Sequence, residues 1–317
     1  MITLEEIQQA RGSIDGMVAR TPLVTSRTLS ERLGTTVSLK LELFQRTGSF
    51  KPRGAFNQLL GLSDEERSRG VVGVSGGNFA QGLAYAGQQL GVATTIVMPE
   101  GTPDNYVEAT RGYGATVVMA PSMSAAFELV DELVESGLTA THPFDNLNMM
   151  RGNGTLGLEV VEDAPDVTDV FVSIGGGGFI AGVAAAVKGL RPRARVWGVE
   201  TDGGDAMSRA LAAGEVVTME PTSIAKTLNA PWVSEDTLDA VQRLVESVTV
   251  VSDSEAIDAL VFLLERAKVL TEPAASCTLV AADRLRDRLG DHVVLVLCGG
   301  NVVLDDVVKW REQGSGP

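Results

Sequence analysis

The stretch DVFVSIGGGGFIAG, residues 169–182, joins an apolar run to four consecutive glycines and a second apolar run. The first run is apolar on both faces, which is typical of a parallel strand covered by helices. The glycines let backbone N–H groups approach an anion closely, and the positive end of the following helix adds to the attraction. The stretch therefore predicts a strand, a turn and a helix, with a cradle for one phosphate group at the turn.

The same order of strand, glycine turn and helix recurs along the chain. Glycine turns also occur as SGGN (75–78) and LCGGN (297–301). Apolar runs that read as strands lie at residues 37–43, 70–75, 93–99, 115–120, 169–174, 195–200 and 292–298. Helix start signals between them are Thr3 with Glu6, Ser63 with Glu66, Ser252 with Glu255, and Thr102 before Pro103. This alternation predicts an open, doubly wound α/β architecture, in which ligands bind beyond the carboxyl ends of the strands.

The composition narrows the classes of partner. A net charge of −15 argues against nucleic acid and anionic membranes. The uncharged run from Val170 to Val187 reaches the length of a membrane span, but the SIGGGG within it favours a strand–turn–helix passage. Cys277 and Cys298 form no CxxC pair, and MITLEEIQQA lacks the basic region and apolar core of a signal peptide. We therefore expect a cytoplasmic protein.

A lysine stands among small residues in GSFKPRGA, residues 48–55. Taken alone, Lys51 is most simply a solvated lysine in front of a helix, because lysine is rarely buried. Pro52 disfavours helical backbone at the preceding residue, so we expect Lys51 at an extended or turning position. An amine needs partial desolvation to lose its proton near neutral pH, and Phe50 and Pro52 can supply apolar shielding.

Six motifs extend over nearly the whole chain. They are KLELFQRTGSFKPRGA (40–55), SGGNFAQGLAYAG (75–87), HPFDNLNMMRGNGTLGLE (142–159), SIGGGGFIAG (173–182), LTEPAAS (270–276) and LCGGNV (297–302). In this order they resemble the fold type II pyridoxal-phosphate enzymes, in the branch of serine/threonine ammonia-lyases (dehydratases) and serine racemases. The resemblance implies two open doubly wound sheets in a tryptophan synthase β-like arrangement. It also implies a large cofactor-binding domain (1–69 and 148–317), a small mobile domain (70–147) and a homodimer.

The resemblance implies a role for each motif residue in holding pyridoxal phosphate. Lys51 is the catalytic residue and forms the Schiff base, Asn78 donates a hydrogen bond to the 3′-oxygen, and Cys298 faces the pyridine nitrogen. The implied cofactor-binding residues are Phe50, Lys51, Asn78, Gly175, Gly176, Gly177, Gly178 and Cys298. A thiol is a weak donor, which leaves the ring a tempered electron sink and favours elimination over transamination.

The substrate carboxylate is implied to bind near a helix start, at Ser75, Gly76, Gly77 and Asn78. Gly76 departs from the family pattern, in which racemases carry serine and dehydratases usually carry alanine. Racemisation needs proton delivery on the face opposite the lysine, and glycine has no side chain that supplies it. We therefore predict β-elimination of a hydroxy-amino acid of the L-threonine or L-serine type to a 2-oxo acid and ammonia. An amino-acid (serine) racemase is the alternative.

Other functions share these motifs. Phe79 replaces a histidine common in the family, and Lys226 stands where many relatives have aspartate. A cation at Lys226 can pair with a side-chain carboxylate, which keeps a 3-hydroxyaspartate ammonia-lyase open; a solvated lysine explains it equally well. A β-replacement enzyme such as a cysteine synthase shares the fold but differs in its TGSFKPRGA and TEPAAS motifs. A non-catalytic amino-acid sensor would be expected to lose Lys51.

An acidic stretch, VETDGGDAM (199–207), is the candidate metal site. Many relatives bind a divalent cation there, and the resemblance implies Glu200, the Gly204 carbonyl and Asp205 as ligands for Mg²⁺ or Ca²⁺. Oxygen donors suit both ions. Ala206 stands where a second acid is expected, which reduces the number of ligands.

Overall fold

Six strands form the larger of two sheets in a computed structural model that describes residues 2–314. In spatial order they are β1 (Leu23–Thr25), β2 (Thr36–Leu41), β10 (His292–Leu297), β7 (Asp169–Ser173), β8 (Arg195–Thr201) and β9 (Ser247–Val251). All neighbours are parallel except β1, which pairs antiparallel with β2. Every residue of β7 and β10 is buried, as expected for central strands covered on both faces.

The smaller sheet has four parallel strands. In spatial order they are β5 (Thr116–Ala120), β4 (Thr94–Pro99), β3 (Val71–Val74) and β6 (Thr139–Ala140). All four lie within residues 70–147, and all six strands of the larger sheet lie outside that range. The chain therefore builds two open doubly wound sheets, as the sequence predicts. The domain boundaries at residues 69 and 147 stay a prediction.

Fourteen helices in the described part of the chain cover the sheets. They are α1 (Leu4–Ser13), α2 (Arg27–Leu33), α3 (Lys51–Leu60), α4 (Asp64–Arg69), α5 (Asn78–Leu90), α6 (Asp104–Gly112), α7 (Met123–Glu135), α8 (Leu147–Asp163), α9 (Gly178–Leu190), α10 (Ala206–Ala213), α11 (Glu235–Leu244), α12 (Asp253–Phe262), α13 (Pro273–Arg284) and α14 (Leu304–Gly314). No helix among residues 2–314 is long and apolar enough to cross a membrane.

Local signals set most helix starts. The capping boxes at Thr3, Ser63 and Ser252 are all present, each with the hydroxyl accepting from the N3 backbone N–H. The prediction at Thr102 is wrong. Helix α6 begins at Asp104 with Pro103 as its N-cap, and the Thr102 hydroxyl donates instead to the Pro99 carbonyl at 2.7 Å.

Candidate active site

Loops at the carboxyl ends of three parallel strands carry the predicted site residues. Residues 75–77 follow β3, residues 174–177 follow β7, and residues 298–303 follow β10. Helices α5 and α9 begin directly after the first two loops, so the N-terminal N–H groups of each helix point toward the carboxyl edge of its own sheet. This is the edge at which open α/β sheets bind ligands.

Lys51 is the first residue of α3, which corrects the expected extended conformation. Proline is tolerated in a first helical turn because the N–H it lacks there has no helical partner. The residue is partly buried, and its Nζ donates a hydrogen bond to the Pro143 carbonyl at 3.0 Å. Nζ also lies 5.0 Å from the centre of the Phe50 ring and 5.7 Å from that of Phe79.

Desolvation of this amine lowers the pKa of Lys51 to about 8, although Cys298 and Glu272 oppose the shift. A substantial fraction of the amine is therefore neutral near physiological pH, as attack on an aldehyde requires.

Phe144 packs directly against the tetraglycine turn. A Cβ on Gly176 would collide with the ring of Phe144, and a Cβ on Gly178 would lie 2.6 Å from the Phe144 carbonyl oxygen. Gly177 has a φ of +89°, and a Cβ there would lie 2.7 Å from Cβ of Thr237. Side chains are excluded at these positions, so only backbone atoms of the turn can line a bound group.

The segment Pro143–Phe144 joins the lysine to the glycine turn. Its first residue accepts the hydrogen bond from Lys51 Nζ, and its second packs against Gly176. The lysine amine and the phosphate cradle are therefore neighbours across one dipeptide. The adjacent His142 is held neutral, since burial lowers its pKa to about 4, and its Nδ1 accepts from the Asp145 N–H at 2.8 Å.

Asn78 is fixed by two side chains from the other sheet's helices and loops. Its Nδ2 donates to Glu272 Oε1 at 2.9 Å and to Oε2 at 3.0 Å, while its Oδ1 accepts from Asn301 Nδ2 at 2.8 Å. These bonds set which end of the amide faces each way. Both acceptors of Nδ2 belong to the Glu272 carboxylate, so the donor end of the amide points toward that residue.

Glu272 is a site residue that sequence reasoning missed. It is buried, accepts from the Thr227 hydroxyl at 2.9 Å, and has a pKa that burial raises to about 7. Thr227 also approaches both glycine loops: a Cβ on Gly77 would lie 3.5 Å from its Cγ2, and one on Gly175 would lie 3.4 Å from its carbonyl oxygen. The TEPAAS motif was the available signal, since its glutamate stands at a helix start.

Cys298 follows β10 and is buried. Its Sγ lies 3.4 Å from Ser173 Oγ, and burial raises the pKa of the thiol, so it is uncharged. The Cys298 carbonyl accepts from the Phe50 N–H at 3.0 Å, which ties this strand end to the residue before Lys51. The Phe50 ring stacks on Phe179 with ring centres 3.8 Å apart.

The predicted substrate loop is ordered by its own serine. The Gly77 N–H donates to Ser75 Oγ at 3.1 Å, and Asn78 opens helix α5 immediately afterwards. Gly76 faces the side chain of Thr102 across the neighbouring loop. The structure thus brings Ser75, Gly76, Gly77 and Asn78 together at a helix N-terminus, where a carboxylate is attracted.

The predicted metal ligands have other partners. Glu200 Oε1 accepts from the Met207 N–H at 2.8 Å, and Oε2 accepts from the Ser208 N–H at 2.9 Å and from its hydroxyl at 2.6 Å. Asp205 pairs with Arg209 at 3.1 Å. Among residues 2–314 there is no group of three or more His, Cys, Asp and Glu side chains that could hold a metal ion. The Glu200 carboxylate is therefore satisfied within the protein, whereas Asp205 Oδ1 is buried with no hydrogen-bond partner, and the cation site at Glu200, Gly204 and Asp205 stays a prediction.

Comparison with known proteins places this geometry in a family. The family model described as pyridoxal-phosphate dependent enzyme matches residues 14–299. The chain belongs to the pyridoxal-phosphate dependent enzymes. It is 40% identical to an L-threonine ammonia-lyase of Thermotoga maritima, over 99% of this chain and 79% of the relative. It is 38% identical to the L-threonine dehydratase catabolic TdcB of Staphylococcus aureus strain N315, over 99% of this chain and 93% of the relative.

Solved structures of the family superpose closely on this chain. Maize serine racemase matches with a TM-score of 0.93 at 32% identity, covering 98% of this chain and 97% of the other. A threonine deaminase from T.th. matches with a TM-score of 0.90 at 36% identity, covering 95% of this chain and 99% of the other. The fold is therefore that of the fold type II pyridoxal-phosphate enzymes, as the resemblance implied.

The residues present fit pyridoxal phosphate. The glycine turn is a cradle that any side chain would fill, a partly neutral amine lies next to it, and an uncharged thiol and a fixed amide complete the surroundings. The chemistry of each group matches one part of the cofactor: backbone N–H groups for a phosphate, an amine for an aldehyde, and an amide N–H for a ring oxygen.

Proposed function

We propose that this protein eliminates water from L-threonine or L-serine, forming a 2-oxo acid and ammonia. The observation that carries the proposal is the setting of Lys51, whose amine has a pKa of about 8 and lies one dipeptide away from the glycine turn. The names of the relatives, L-threonine ammonia-lyase and L-threonine dehydratase, support this reaction class.

Each loop contributes one task to the reaction. The backbone N–H groups of Gly175 to Gly178 hold the phosphate, and the N-terminus of α5 with the Ser75 hydroxyl binds the substrate carboxylate. The amide Nδ2 of Asn78, which donates to Glu272 in this structure, would be the donor to the ring oxygen. When bound, pyridoxal phosphate supplies an electron sink for the negative charge that develops at the substrate α carbon.

Lys51 performs the proton transfer. Its Nζ would hold the cofactor aldehyde and, once displaced by the substrate amine and neutral, would remove the α proton. The β-hydroxyl would then leave as water, taking the proton that Lys51 Nζ carries after removing it from the α carbon. Cys298 would offer the ring nitrogen no charged partner, because its thiol is uncharged. A weak donor at this position would favour loss of the leaving group over reprotonation of the α carbon.

Racemisation and 3-hydroxyaspartate cleavage are the competing activities. Serine and aspartate racemases are among the similar structures, but Gly76 offers no side chain to deliver a proton on the second face. Lys226 is exposed and adjoins Thr227, which keeps a substrate with a side-chain carboxylate as the second candidate.

The remaining proposals concern the setting of the enzyme. We propose a small amino-acid substrate, a homodimer and a cytoplasmic location, with no nucleic-acid or membrane partner. We also propose that residues 70–147 move as a unit over the larger domain and exclude water during the reaction.

A substrate panel tests the proposed function. The protein loaded with pyridoxal phosphate is incubated with L-threonine, L-serine, D-serine and threo-3-hydroxyaspartate, and 2-oxo acid and enantiomer are both measured. We expect 2-oxo acid from L-threonine and L-serine. Enantiomer without 2-oxo acid would establish a racemase instead, and 2-oxo acid from 3-hydroxyaspartate alone would establish the second candidate.

A further inference from the structure

The substrate loop has no side chain at position 76, yet the space in front of that position is filled. Gly76 lies in the loop after β3, and Thr102 lies in the loop after β4, the neighbouring parallel strand of the same sheet. A Cβ on Gly76 would lie 2.6 Å from Oγ1 of Thr102, 3.5 Å from its Cγ2 and 3.6 Å from Cδ of Pro99. A contact of 2.6 Å is too short for two unbonded heavy atoms, so position 76 and Thr102 compete for one volume.

The Thr102 side chain is held in that volume by its own hydrogen bond. Its hydroxyl donates to the Pro99 carbonyl at 2.7 Å, and its N–H donates to the same oxygen at 3.2 Å. A hydroxyl has one hydrogen and two lone pairs, so the oxygen faces the loop only as an acceptor. The residue is partly exposed at the carboxyl edge of the smaller sheet.

A second threonine borders the same loop on its other side. The Thr227 hydroxyl donates to Glu272, and its Cγ2 faces Gly77. Thr102 therefore faces Gly76, and Thr227 faces Gly77. Both threonine hydroxyls already donate their hydrogen to an acceptor within the protein. This arrangement favours a small, uncharged substituent, because neither hydroxyl is free to donate to a carboxylate.

We propose that Thr102 is a specificity-determining residue, whose side chain in front of Gly76 limits the size of the substituent on the substrate β carbon. The inference rests on the proposed function, since it assigns residues 75–78 to the substrate. One methyl-sized group more or less in an apolar pocket changes the ratio of kcat/KM for two substrates by about tenfold or more. The effect of Thr102 on that ratio is therefore measurable.

A double-variant cycle on the cofactor-loaded enzyme tests the proposal. The variants are Thr102→Ala, Gly76→Ala and the double variant, and kcat/KM is measured for L-threonine and L-serine. We expect Thr102→Ala to raise the threonine-to-serine ratio about threefold or more, because the β-methyl gains room. Gly76→Ala alone should lose about tenfold with both substrates, and the double variant should recover most of that loss. Additive effects, or an unchanged ratio in Thr102→Ala, would overturn the proposal.

Two further variants keep the test decisive if Gly76→Ala does not fold. Thr102→Val retains the volume and should leave the ratio within about twofold of the wild type, whereas Thr102→Ala should shift it. A shift of equal size in both variants would overturn the proposal. Thr139→Ala is the matched control, because Thr139 also donates its hydroxyl to a backbone carbonyl but lies in the edge strand β6 of the same sheet.

Failure of the proposed function gives a different result. In that case the wild type forms no 2-oxo acid from either amino acid. The ratio is then taken from dissociation constants, measured as absorbance changes of the bound cofactor during titration with L-threonine and L-serine. A shifted ratio in Thr102→Ala with an unshifted ratio in Thr102→Val supports the inference, and an unshifted ratio in both variants overturns it.

Discussion

The desolvated amine of Lys51 contributes to how the stability of the protein without cofactor responds to pH. Desolvation lowers the pKa of Lys51 to about 8, from 10.5 in water. Burying the charged form costs stability fully below pH 8. The cost falls as pH rises from 8 toward 10.5 and disappears above it, because the unfolded chain then also loses the proton. Lys51 therefore lowers the stability of the folded protein at neutral pH.

Replacing this lysine should stabilise the protein without its cofactor. We expect Lys51→Met to raise the melting temperature of the apo-protein at pH 7, and the gain to shrink at higher pH, where the wild-type lysine is neutral. Circular dichroism melts of both proteins across this range provide the measurement. A gain that is independent of pH would show that the amine is solvated rather than buried.

The Glu200 carboxylate at the predicted metal site is fully hydrogen-bonded within the protein. Both oxygens of Glu200 accept hydrogen bonds from the first turn of α10, and Asp205 pairs with Arg209. The helix N-terminus and Ser208 thus already satisfy the glutamate, with no requirement for a cation.

Chelation should therefore leave activity unchanged. We expect kcat/KM for the amino-acid substrate to stay the same after dialysis against EDTA, and after Mg²⁺ or Ca²⁺ is added back. The cofactor absorbance serves as the control that the enzyme stays loaded. A loss on chelation that either ion restores would mean that Glu200 turns away from α10 to bind it.

At the scale of elements, the turn between β7 and α9 is where glycine is required. Gly177 has a φ of +89°, and a Cβ added to it would lie 2.7 Å from Cβ of Thr237. Alanine at this position would therefore be strained in its backbone and would collide with Thr237. The turn also holds the phosphate in the proposed site. Its backbone cannot shift without moving the N–H groups of its neighbours.

Gly177→Ala should weaken cofactor binding by about tenfold or more, because displaced backbone N–H groups no longer donate hydrogen bonds to the phosphate. Gly34→Ala is the matched control. Gly34 also has a positive φ, +73°, but has open space around it, so its variant meets strain alone. Titration of each apo-protein with pyridoxal phosphate gives the dissociation constants. Equal losses in the two variants would remove the turn from the phosphate site.

The central strands of the two sheets are predictable from the sequence, and most edge strands are not. All seven predicted apolar runs form strands, because a short, continuous apolar run between turn signals is typical of a fully buried strand. The missed strands β1, β6 and β9 lie at sheet edges and are short or partly exposed, which weakens their pattern.

The same contrast holds at the site. Lys51 and the tetraglycine lie in local motifs that a sequence displays directly. Glu272 and Thr102 act through neighbours distant in sequence, Asn78 and Gly76, so only the folded chain shows their contacts. The helical backbone of Lys51 was also missed, because the general preference of residues before proline is overridden at a helix start.

At the scale of the whole molecule, a buried ionic network supports the helix that begins with Lys51. Arg53 is fully buried and bonds Glu42 at 2.8 Å and Glu159 at 2.7 Å, and Lys40 bonds Glu159 at 2.6 Å. The network connects β2, α3 and α8. Buried charges that are fully paired are tolerated, but removal of one partner leaves the others without compensation.

Arg53→Met should therefore destabilise the protein by about 3 to 5 kcal/mol, because Glu42 stays buried without its ion-pair partner and Glu159 keeps only Lys40. The shift in the denaturant midpoint of the cofactor-loaded protein measures this loss. Arg27→Met is the control, since Arg27 pairs with Glu31 on the surface and should change the midpoint little. Equal small shifts for the two variants would mean that the network is solvated.

Covalent attachment of the cofactor to Lys51 is the central claim, and reductive trapping tests it most directly. The loaded protein is treated with borohydride and digested, and the modified peptide is identified by mass spectrometry. We predict one pyridoxyl adduct, on the peptide that contains Lys51, and none in Lys51→Ala treated in the same way. An adduct on another lysine, or no adduct in a protein saturated with pyridoxal phosphate, would contradict the account.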